Sequence, residues 1–516
     1  IVPVSSTADV VHAEQLAARG YWTPVALPAA GIAARTAAPG PGLPSHGTST
    51  ALYPGPFAQF SATPIPYRRR APRLGEHNGE VGRAWSGVQP EDRATRTSLH
   101  GVTPATDHAR LPPHSPALEG VKVLDFTWAM AGAAGIRYLA DFGATVVHIE
   151  STQRVDVVRG IGPYLDKQPG PERSAIFANI VGGKLAITLD LNKPEGCAVA
   201  RKLAAWADVV AENFSPKAMR RWNLHYEALR TINPGIIMLS TCLNGQTGPY
   251  AALAGFGTMG ANLAGFGELA GWPDRPPAGP YAAYSDFVSP KFVAAAILAA
   301  LDHRRRTGAG QFIDLSQAEA TMHFLTPALL DYTVNGRVQR RNGNYSAEHA
   351  PHGVYPAQGE DRWVAIACGS EEQWRGLCRA TGHPEWLDDA RFASFAARQE
   401  HRAALDVLLG DWMAEREVGQ IEEMLQAAGV PVHRVSTSAD AFADPQLAHR
   451  GHFATVQHPL WGPVPVEAPR AILSRTPGRI TAHGPTFGEH NDYVLREILG
   501  MSEDEIVELA ASGALA

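Results

Sequence analysis

The chain is poor in cysteine: Cys197, Cys242, Cys368 and Cys378 are the only four in 516 residues. None forms a Cys-x-x-Cys pair and their spacing matches no zinc site, so no metal is expected. They read as buried, reduced thiols in a cytoplasmic protein. Excess positive charge is also missing. Lys and Arg number 45 against 51 Asp and Glu, for a net charge of −6 and a pI of about 6.4. That leaves no general basic field for nucleic acid or a membrane surface, although a local patch for one phosphorylated ligand is compatible with it. No run of 18 or more strongly apolar residues stands out. Phe256–Trp272 is apolar but Gly-rich, and it holds Asn262 and Glu268, so it does not read as a membrane span. The opening IVPVSSTADVV has neither a basic stretch nor a cleavage pattern. It begins with Ile, which implies processing or numbering that starts inside a longer product. No Gly-x-Gly-x-x-Gly follows the first strand, which speaks against a dinucleotide dehydrogenase.

What is present is length enough for two or three domains, with 50 Gly and 40 Pro that predict many loops. It also holds an internal repeat. VPVSSTADVVHAEQLAARGYW (Val2–Trp22) matches VPVHRVSTSADAFADPQLAHRGHF (Val430–Phe453) in Val-Pro-Val, a Ser/Thr-Ala-Asp cluster, and Gln-Leu-Ala-x-Arg-Gly-aromatic. Each copy is followed by Gly-Glu-His-Asn, at Gly75–Asn78 and at Gly488–Asn491. Two matches in the same order are not a chance event. The first copy is longer by GIAARTAAPGPGLPSHGTST (Gly31–Thr50), which reads as a flexible loop. Residues 1–90 therefore read as the tail end of one module and 118–516 as a whole second one. The polar, Pro-containing stretch 91–117 reads as the linker. The tail is expected to pack on the small domain of its own or a partner chain.

The whole module alternates strands and helices. Val121–Phe126, Thr145–Ile149, Leu185–Leu189, Asp208–Glu212 and Gly235–Ser240 are short apolar strands. Ala131–Phe142, ended by Gly143, and Pro194–Ala207, with Pro in its first turn, are helices. Further helices are predicted at Pro290–Arg305 and Ala318–Asn335. Gly353–Cys368 and Phe453–Val466 read as strands of a different domain. The rhythm predicts an α/β fold, a doubly wound, Rossmann-like parallel sheet with a smaller inserted α/β domain. The large domain is placed at 118–334, the small one at 335–470, and 471–516 returns to the large domain.

LEGVKVLDFTWAMAGAAGIRYLADFGATVVHIE (Leu118–Glu150) resembles the start of the family III CoA-transferases, the superfamily of formyl-CoA and carnitine CoA-transferases and acyl-CoA racemases. GGKLAITLDLNKPEG (Gly182–Gly196), ADVVAENFSP (Ala207–Pro216), NPGIIMLSTCLNGQTGPYA (Asn233–Ala251) and RRTGAGQFIDLSQAEA (Arg305–Ala320) follow in the family's order, as do DPQLAHRGHF and GEHN near the end. The resemblance covers 118–516. It implies transfer of CoA between an acyl-CoA thioester and a free carboxylic acid, coenzyme A as substrate with no metal, and interlocked dimers. It places CoA near the strand-to-helix turn Trp128-Ala129-Met130 with Gly132, near Leu189, Asn213, Phe214 and Arg221, and near the loop Leu243–Tyr250 that contains Gly245. Lys193 and Arg154 are further phosphate candidates. The residues agree with this: small residues let a backbone approach a ligand, a helix N-terminus favours phosphate, and Asn213 ends a strand, where open sheets place ligands. Trp222 offers a stacking face. Trp128, Met130, Phe214 and Phe256 suggest an apolar acyl pocket for a bulky or aromatic acid.

One position departs from the family pattern. The resemblance implies an Asp nucleophile after the Gly-Pro-Tyr loop, in Pro-Gly-aromatic-Asp, and the matching residues are Ala254-Gly255-Phe256-Gly257. Gly257 cannot form an acyl anhydride. No acid lies between Pro249 and Gly267, and the nearest are Glu268, Asp274 and Asp286; Glu268 and Asp286 are the substitutes, although Asp286, in YAAYSDF, matches a family Asp that reads as structural. Three readings follow. The chain is a transferase using another carboxylate, or a catalytically silent half that binds acyl-CoA beside an Asp-bearing subunit, or an acyl-CoA racemase with His225 as acid/base. Its partner is accordingly a second copy or a related Asp-bearing chain, with no nucleic acid and no membrane.

Overall fold

The computed structural model describes residues 1–26, 50–86 and 115–516. The expected loop Gly31–Thr50, apart from Thr50 itself, and nearly all of the linker 91–117 lie outside the described residues. The chain divides into two units, one of Ile1–Leu269, Ala278–Gln339 and His452–Ala516, the other of Ala270–Pro277 and Arg340–Gly451.

The first unit is built on a seven-stranded sheet. From edge to edge its strands are Gln59–Phe60, Phe312–Ser316, Ile237–Cys242, Val209–Glu212, Lys122–Phe126, Thr145–Glu150 and Leu185–Thr188. Gln59–Phe60 pairs antiparallel with Phe312–Ser316, and every other neighbouring pair is parallel. Side chains alternate between two cores, as strands buried on both faces require. Leu124, Phe126, Val147 and Ile149 face Val199, Leu203, Val494 and Leu495. Val123, Val146, Val209 and Ile237 face Ile136, Leu139, Val293 and Ile297. The order reverses between Lys122–Phe126 and Val209–Glu212, so the crevice of this open sheet lies where those two strands end.

Several elements differ from the sequence expectations. Phe312–Ser316 and Gln59–Phe60 are strands that local patterning does not mark. The long helix is Tyr284–Thr307 and begins before Pro290. By length and composition it could cross a membrane, but half of its most apolar window is buried, with Val293, Ala296 and Ile297 packed against Ile136 and Leu139 of Ala131–Asp141. Ala318–Asn335 is broken into Gln317–Met322, a single tight turn, and Thr326–Asn335. Phe453–His458 and Gly462–Glu467 form a hairpin that belongs to the first unit, not the second. The first copy of the repeat also belongs to the first unit. Its Val10, Val11, Leu16 and Tyr21 pack on Ala264, Ala318, Met322, Leu325 and Leu329, and Gln59–Phe60 extends the large sheet. The expectation that this tail packs on the small domain therefore gives way, because its apolar face finds the helices behind the Gln246 loop.

The second unit has a three-stranded antiparallel sheet of His352–Pro356, Trp363–Ala367 and Val432–Arg434. Its core holds Trp374, Leu377, Phe392, Leu409, Met413 and Leu425.

Candidate functional site

The turn after Lys122–Phe126 is fixed from below by a buried charge cluster. The Asp125 carboxylate accepts the Thr127 N–H (2.9 Å), the Lys184 ammonium (2.8 Å) and His148 Nδ1 (2.9 Å), all out of solvent. Burial alone would raise this carboxyl, but Lys184 and His148 outweigh it and hold Asp125 well below the usual carboxylate range. The chain then turns through Ala129 in the left-handed region, φ 58°, a conformation an alanine holds only when its surroundings impose it. The surroundings here are Asp156, whose carboxylate accepts the Ala129 N–H at 3.0 Å. The result sets Trp128, Ala129 and Met130 on the wall of a crevice.

Across the reversal point, Asn213 ties the two strand ends together. Its Oδ1 accepts the Trp128 N–H (2.8 Å) and its amide donates to the Trp128 carbonyl (2.6 Å). Trp128, Phe214 and Trp222 follow edge to face at 5.4 and 5.5 Å. Glu212 is wholly buried below them and accepts the Phe214 N–H at 2.7 Å. Burial pushes its carboxyl up to about 7.

The crevice holds two adjoining cavities. One, of about 700 Å³, has walls of Trp128, Met130, Asn213, Thr241–Leu243, Ala251–Phe256 and Met259, with Asp286 and Gln317 also lining it. The other, of about 370 Å³, lies between Trp128, Ile149, Leu189, Phe214 and Trp222. Arg154 and Arg221 line both, and Lys217 lines the first. All three are exposed, which suits cations that meet a phosphate at a rim.

Of the residues singled out from sequence, Trp128, Ala129, Met130, Leu189, Asn213, Phe214, Arg221 and Arg154 line these cavities, and so does Phe256. Gly132 does not. A Cβ there would stand 2.6 Å from the Thr127 side chain, so its smallness serves packing within the turn. Gly245 does not either, and a Cβ there would meet the guanidinium of Arg19. The loop Asn244–Tyr250 faces the N-terminal segment. Gln15 donates to the Asn244 and Thr247 carbonyls and accepts the Tyr250 N–H. Arg19 bonds Thr247, Asp314 (2.7 Å) and Glu319. Only the flanks of that loop reach the crevice. Lys193 and His225 line neither cavity, and His225 heads the short helix Tyr226–Ile232. Asp156, Thr241, Met259 and Gln317 were missed, because none sits in a motif whose spacing marks it.

Of the candidate acids, Asp286 stands beside Gly257. A Cβ on Gly257 would lie 2.6 Å from the Asp286 carboxyl carbon and 2.5 Å from the Ala283 carbonyl oxygen. Asp286 therefore fills the space a side chain at 257 would enter. It is 7% exposed and accepts the Gly257 N–H (3.0 Å) and the Gln317 amide (2.9 Å). Burial raises it above the usual carboxylate range. Glu268 is not among the lining residues, and Asp274 belongs to the second unit, where it is exposed. The other nucleophile type in the crevice, Cys242, is pushed up to about 12 by burial, then by Glu212 and Asp314. It is a thiol at neutral pH and a poor attacking group.

The model of CoA-transferase family III matches residues 118–491. The succinyl-CoA–D-citramalate CoA-transferase of Chloroflexus aurantiacus is 34% identical over 394 residues, 76% of this chain and 97% of that protein. The alpha subunit of succinyl-CoA–L-malate CoA-transferase from Chloroflexus aurantiacus is 32% identical over 408 residues, 79% of this chain and 93% of that protein. Among solved structures, a CAIB/BAIF family protein from Brucella suis matches with a TM-score of 0.69 at 33% identity, over 75% of this chain and all of that one.

Proposed function

Since the chain belongs to CoA-transferase family III, we propose that it exchanges CoA in the Trp128–Asp286 crevice, with the Asp286 carboxylate as the group that carries the acyl unit. The chain is a CoA-transferase enzyme, with an acyl-CoA thioester and a carboxylic acid as substrates. The observation that carries the assignment of Asp286 is its place: a carboxylate stands in the cavity where a side chain on Gly257 would stand.

The chemistry balances as two symmetric halves. An Asp286 oxygen attacks the thioester carbonyl, the C–S bond breaks, and CoA leaves as thiolate while a mixed anhydride forms on Asp286. The thiolate attacks the Asp286 carboxyl carbon, the donor acid leaves as carboxylate, and Asp286 holds CoA as a thioester. The acceptor carboxylate then attacks that thioester, releasing thiolate and forming a second anhydride. Thiolate attack on the acceptor's carbonyl yields the new acyl-CoA and returns Asp286. Two acyl transfers to a held carboxylate replace one hard exchange. The raised affinity of Asp286 for a proton makes its carboxylate the better nucleophile, and the Gly257 N–H and Gln317 amide aim it.

Trp128, Phe214 and Trp222 would flank CoA, with Arg154, Lys217 and Arg221 toward its phosphates. The cavity that Asp286 lines also has apolar walls in Leu243, Phe256 and Met259. That supports a bulky or aromatic acid over one with a second carboxylate. The named relatives include alpha and beta subunits of one transferase, which supports a second copy or a related family III chain as the partner.

The test is label exchange between acyl-CoA thioesters and isotope-labelled free acids, followed by mass spectrometry, on the wild-type chain and on Asp286→Asn. Wild-type exchange lost by at least ~10³-fold in the variant is the expected result. Exchange that survives in D286N removes Asp286 from the reaction. A wild-type chain that binds CoA and exchanges nothing places the covalent step on another chain.

A further inference from the structure

Asp156 is a buried acid in an exposed stretch. Of residues 152–157 it alone is buried, at 1% exposure. It lines neither cavity, but its neighbours do: Arg154 lines both, Gln153 the smaller and Val157 the larger. A carboxylate is held out of solvent only where donors meet it, and here three hydrogen bonds do. The Ala129 N–H donates to both of its oxygens, at 3.0 and 3.1 Å, and the Val158 N–H donates to one of them at 3.0 Å. The bond from Val158 caps the tight turn Val157–Gly160, which is anchored in its own right. Arg159 within it holds Glu150 at 2.7 Å and Glu172 at 2.9 Å. Asp156 is thus fixed on one side and reaches Ala129 on the other.

What it fixes is a backbone angle. Ala129 sits at φ 58°, a region that disfavours any residue with a Cβ. One residue earlier, the Trp128 N–H is accepted by Asn213. The N–H groups of Trp128 and Ala129, which a strand-to-helix turn can offer to an anion, are therefore both taken by the protein. What Trp128, Ala129 and Met130 offer a ligand is the shape of the wall they form, and that shape depends on the angle at Ala129.

We propose that Asp156 is a positioning residue for coenzyme A: it holds Ala129 left-handed, so that the wall at 128–130 and the segment bearing Arg154 stand in one fixed relation across the crevice. The inference rests on the reading of this crevice as the CoA site, and it is independent of which carboxylate carries the acyl unit. One carboxylate joins the two walls, since Ala129 belongs to the first and Val158 follows directly on the second. Without that carboxylate Ala129 returns to ordinary backbone angles, the wall that fits CoA becomes a minor form, and the apparent affinity falls in proportion to its population.

The test is calorimetry with free CoA on the full chain, for wild type, Asp156→Ala, Ala129→Gly and the double variant. Glycine enters the left-handed region as readily as any other, so A129G removes the need for Asp156. D156A is expected to weaken CoA binding about tenfold when residue 129 is alanine, the population factor for an alanine no longer held left-handed. In the A129G background the same change should weaken it less than ~3-fold, a coupling that a role in folding alone does not produce. Should D156A prove unfolded by circular dichroism, Asp156→Asn takes its place, held to a loss of more than ~3-fold that A129G abolishes, since the amide gives up the charge behind the bond to Ala129. A wild-type chain that does not bind CoA overturns the crevice reading and this inference together. A wild-type chain that binds, with the folded Asp156 variant equal to it or with a loss that A129G leaves in place, overturns this inference alone.

Discussion

Gly257→Asp restores by sequence the carboxylate that the family resemblance implies, and the structure says it is harmful here. A Cβ alone would stand 2.5 Å from the Ala283 carbonyl oxygen and 2.6 Å from the Asp286 carboxyl carbon, each well inside an ordinary contact. Overpacking of that kind costs about 1–3 kcal/mol, and G257A should show it by itself. The aspartate adds a second carboxylate beside Asp286. At a separation of about 4 Å and an effective dielectric near 20, two ionised groups repel by about 4 kcal/mol, which the pair relieves by keeping a proton. The loss in G257D is therefore at most about 5–7 kcal/mol at pH 8 and smaller at pH 5, where the proton is easily kept. Adding Asp286→Ala removes the repulsion and one of the two overlaps, so the double variant should return to about the G257A level. This is a coupling of the size seen between residues in contact. The assay is thermal melting of the four chains at both pH values, read as apparent midpoints because two units unfold. Label exchange on the same chains asks whether an acid at 257 replaces the one at 286. G257D that melts with the wild type, or D286A that adds its own loss without recovery, would refute the account of Gly257 as a space filled from residue 286.

Two further outcomes follow from the crevice. Glu212 titrates at about 7 when folded and near 4.5 when unfolded, so between those values the unfolded chain gives up its proton first and stability falls as pH rises; Glu212→Gln should gain at most about 3 kcal/mol relative to wild type between pH 5 and 8 in urea or thermal melts. Arg221→Ala should weaken binding of free CoA about tenfold by calorimetry, the effect of one hydrogen bond to a charged group, with melting unchanged because Arg221 is exposed.

The parts of the fold legible in sequence are those set by local pattern. The five apolar strands and the Ala131 and Pro194 helices are fixed by side-chain period and by their caps, and their bounds fall within two residues of the reading. Trp128, Asn213 and Phe214 were legible as a site because they follow strands, and strand ends are where an open sheet leaves a crevice. What was not legible depends on partners distant in sequence. Gln59–Phe60 is a strand only because Phe312–Ser316 offers an edge. Asp156 matters only because Ala129 turns left-handed above it. The repeat marked the N-terminal segment as the tail of a module, but not that Arg19 would find Asp314 and Glu319, which lie some 300 residues on.

The glycines make the same point from the other side. Gly132, Gly245 and Gly257 all sit in family motifs, and each invites the reading that a ligand approaches the backbone. At each the approaching atom belongs to the protein: the Thr127 side chain, the Arg19 guanidinium and the Asp286 carboxyl carbon. A glycine next to a site thus reports that something comes close without saying what. At 132 it is packing, at 245 it is a segment that resembles the tail of another module, and at 257 it is a carboxyl group from the helix Tyr284–Thr307. A search for a carboxylate by motif position ends at Gly257. A search by the space around Gly257 ends at Asp286, and the second follows from the first because a vacant side-chain position in a packed core is filled by a neighbour.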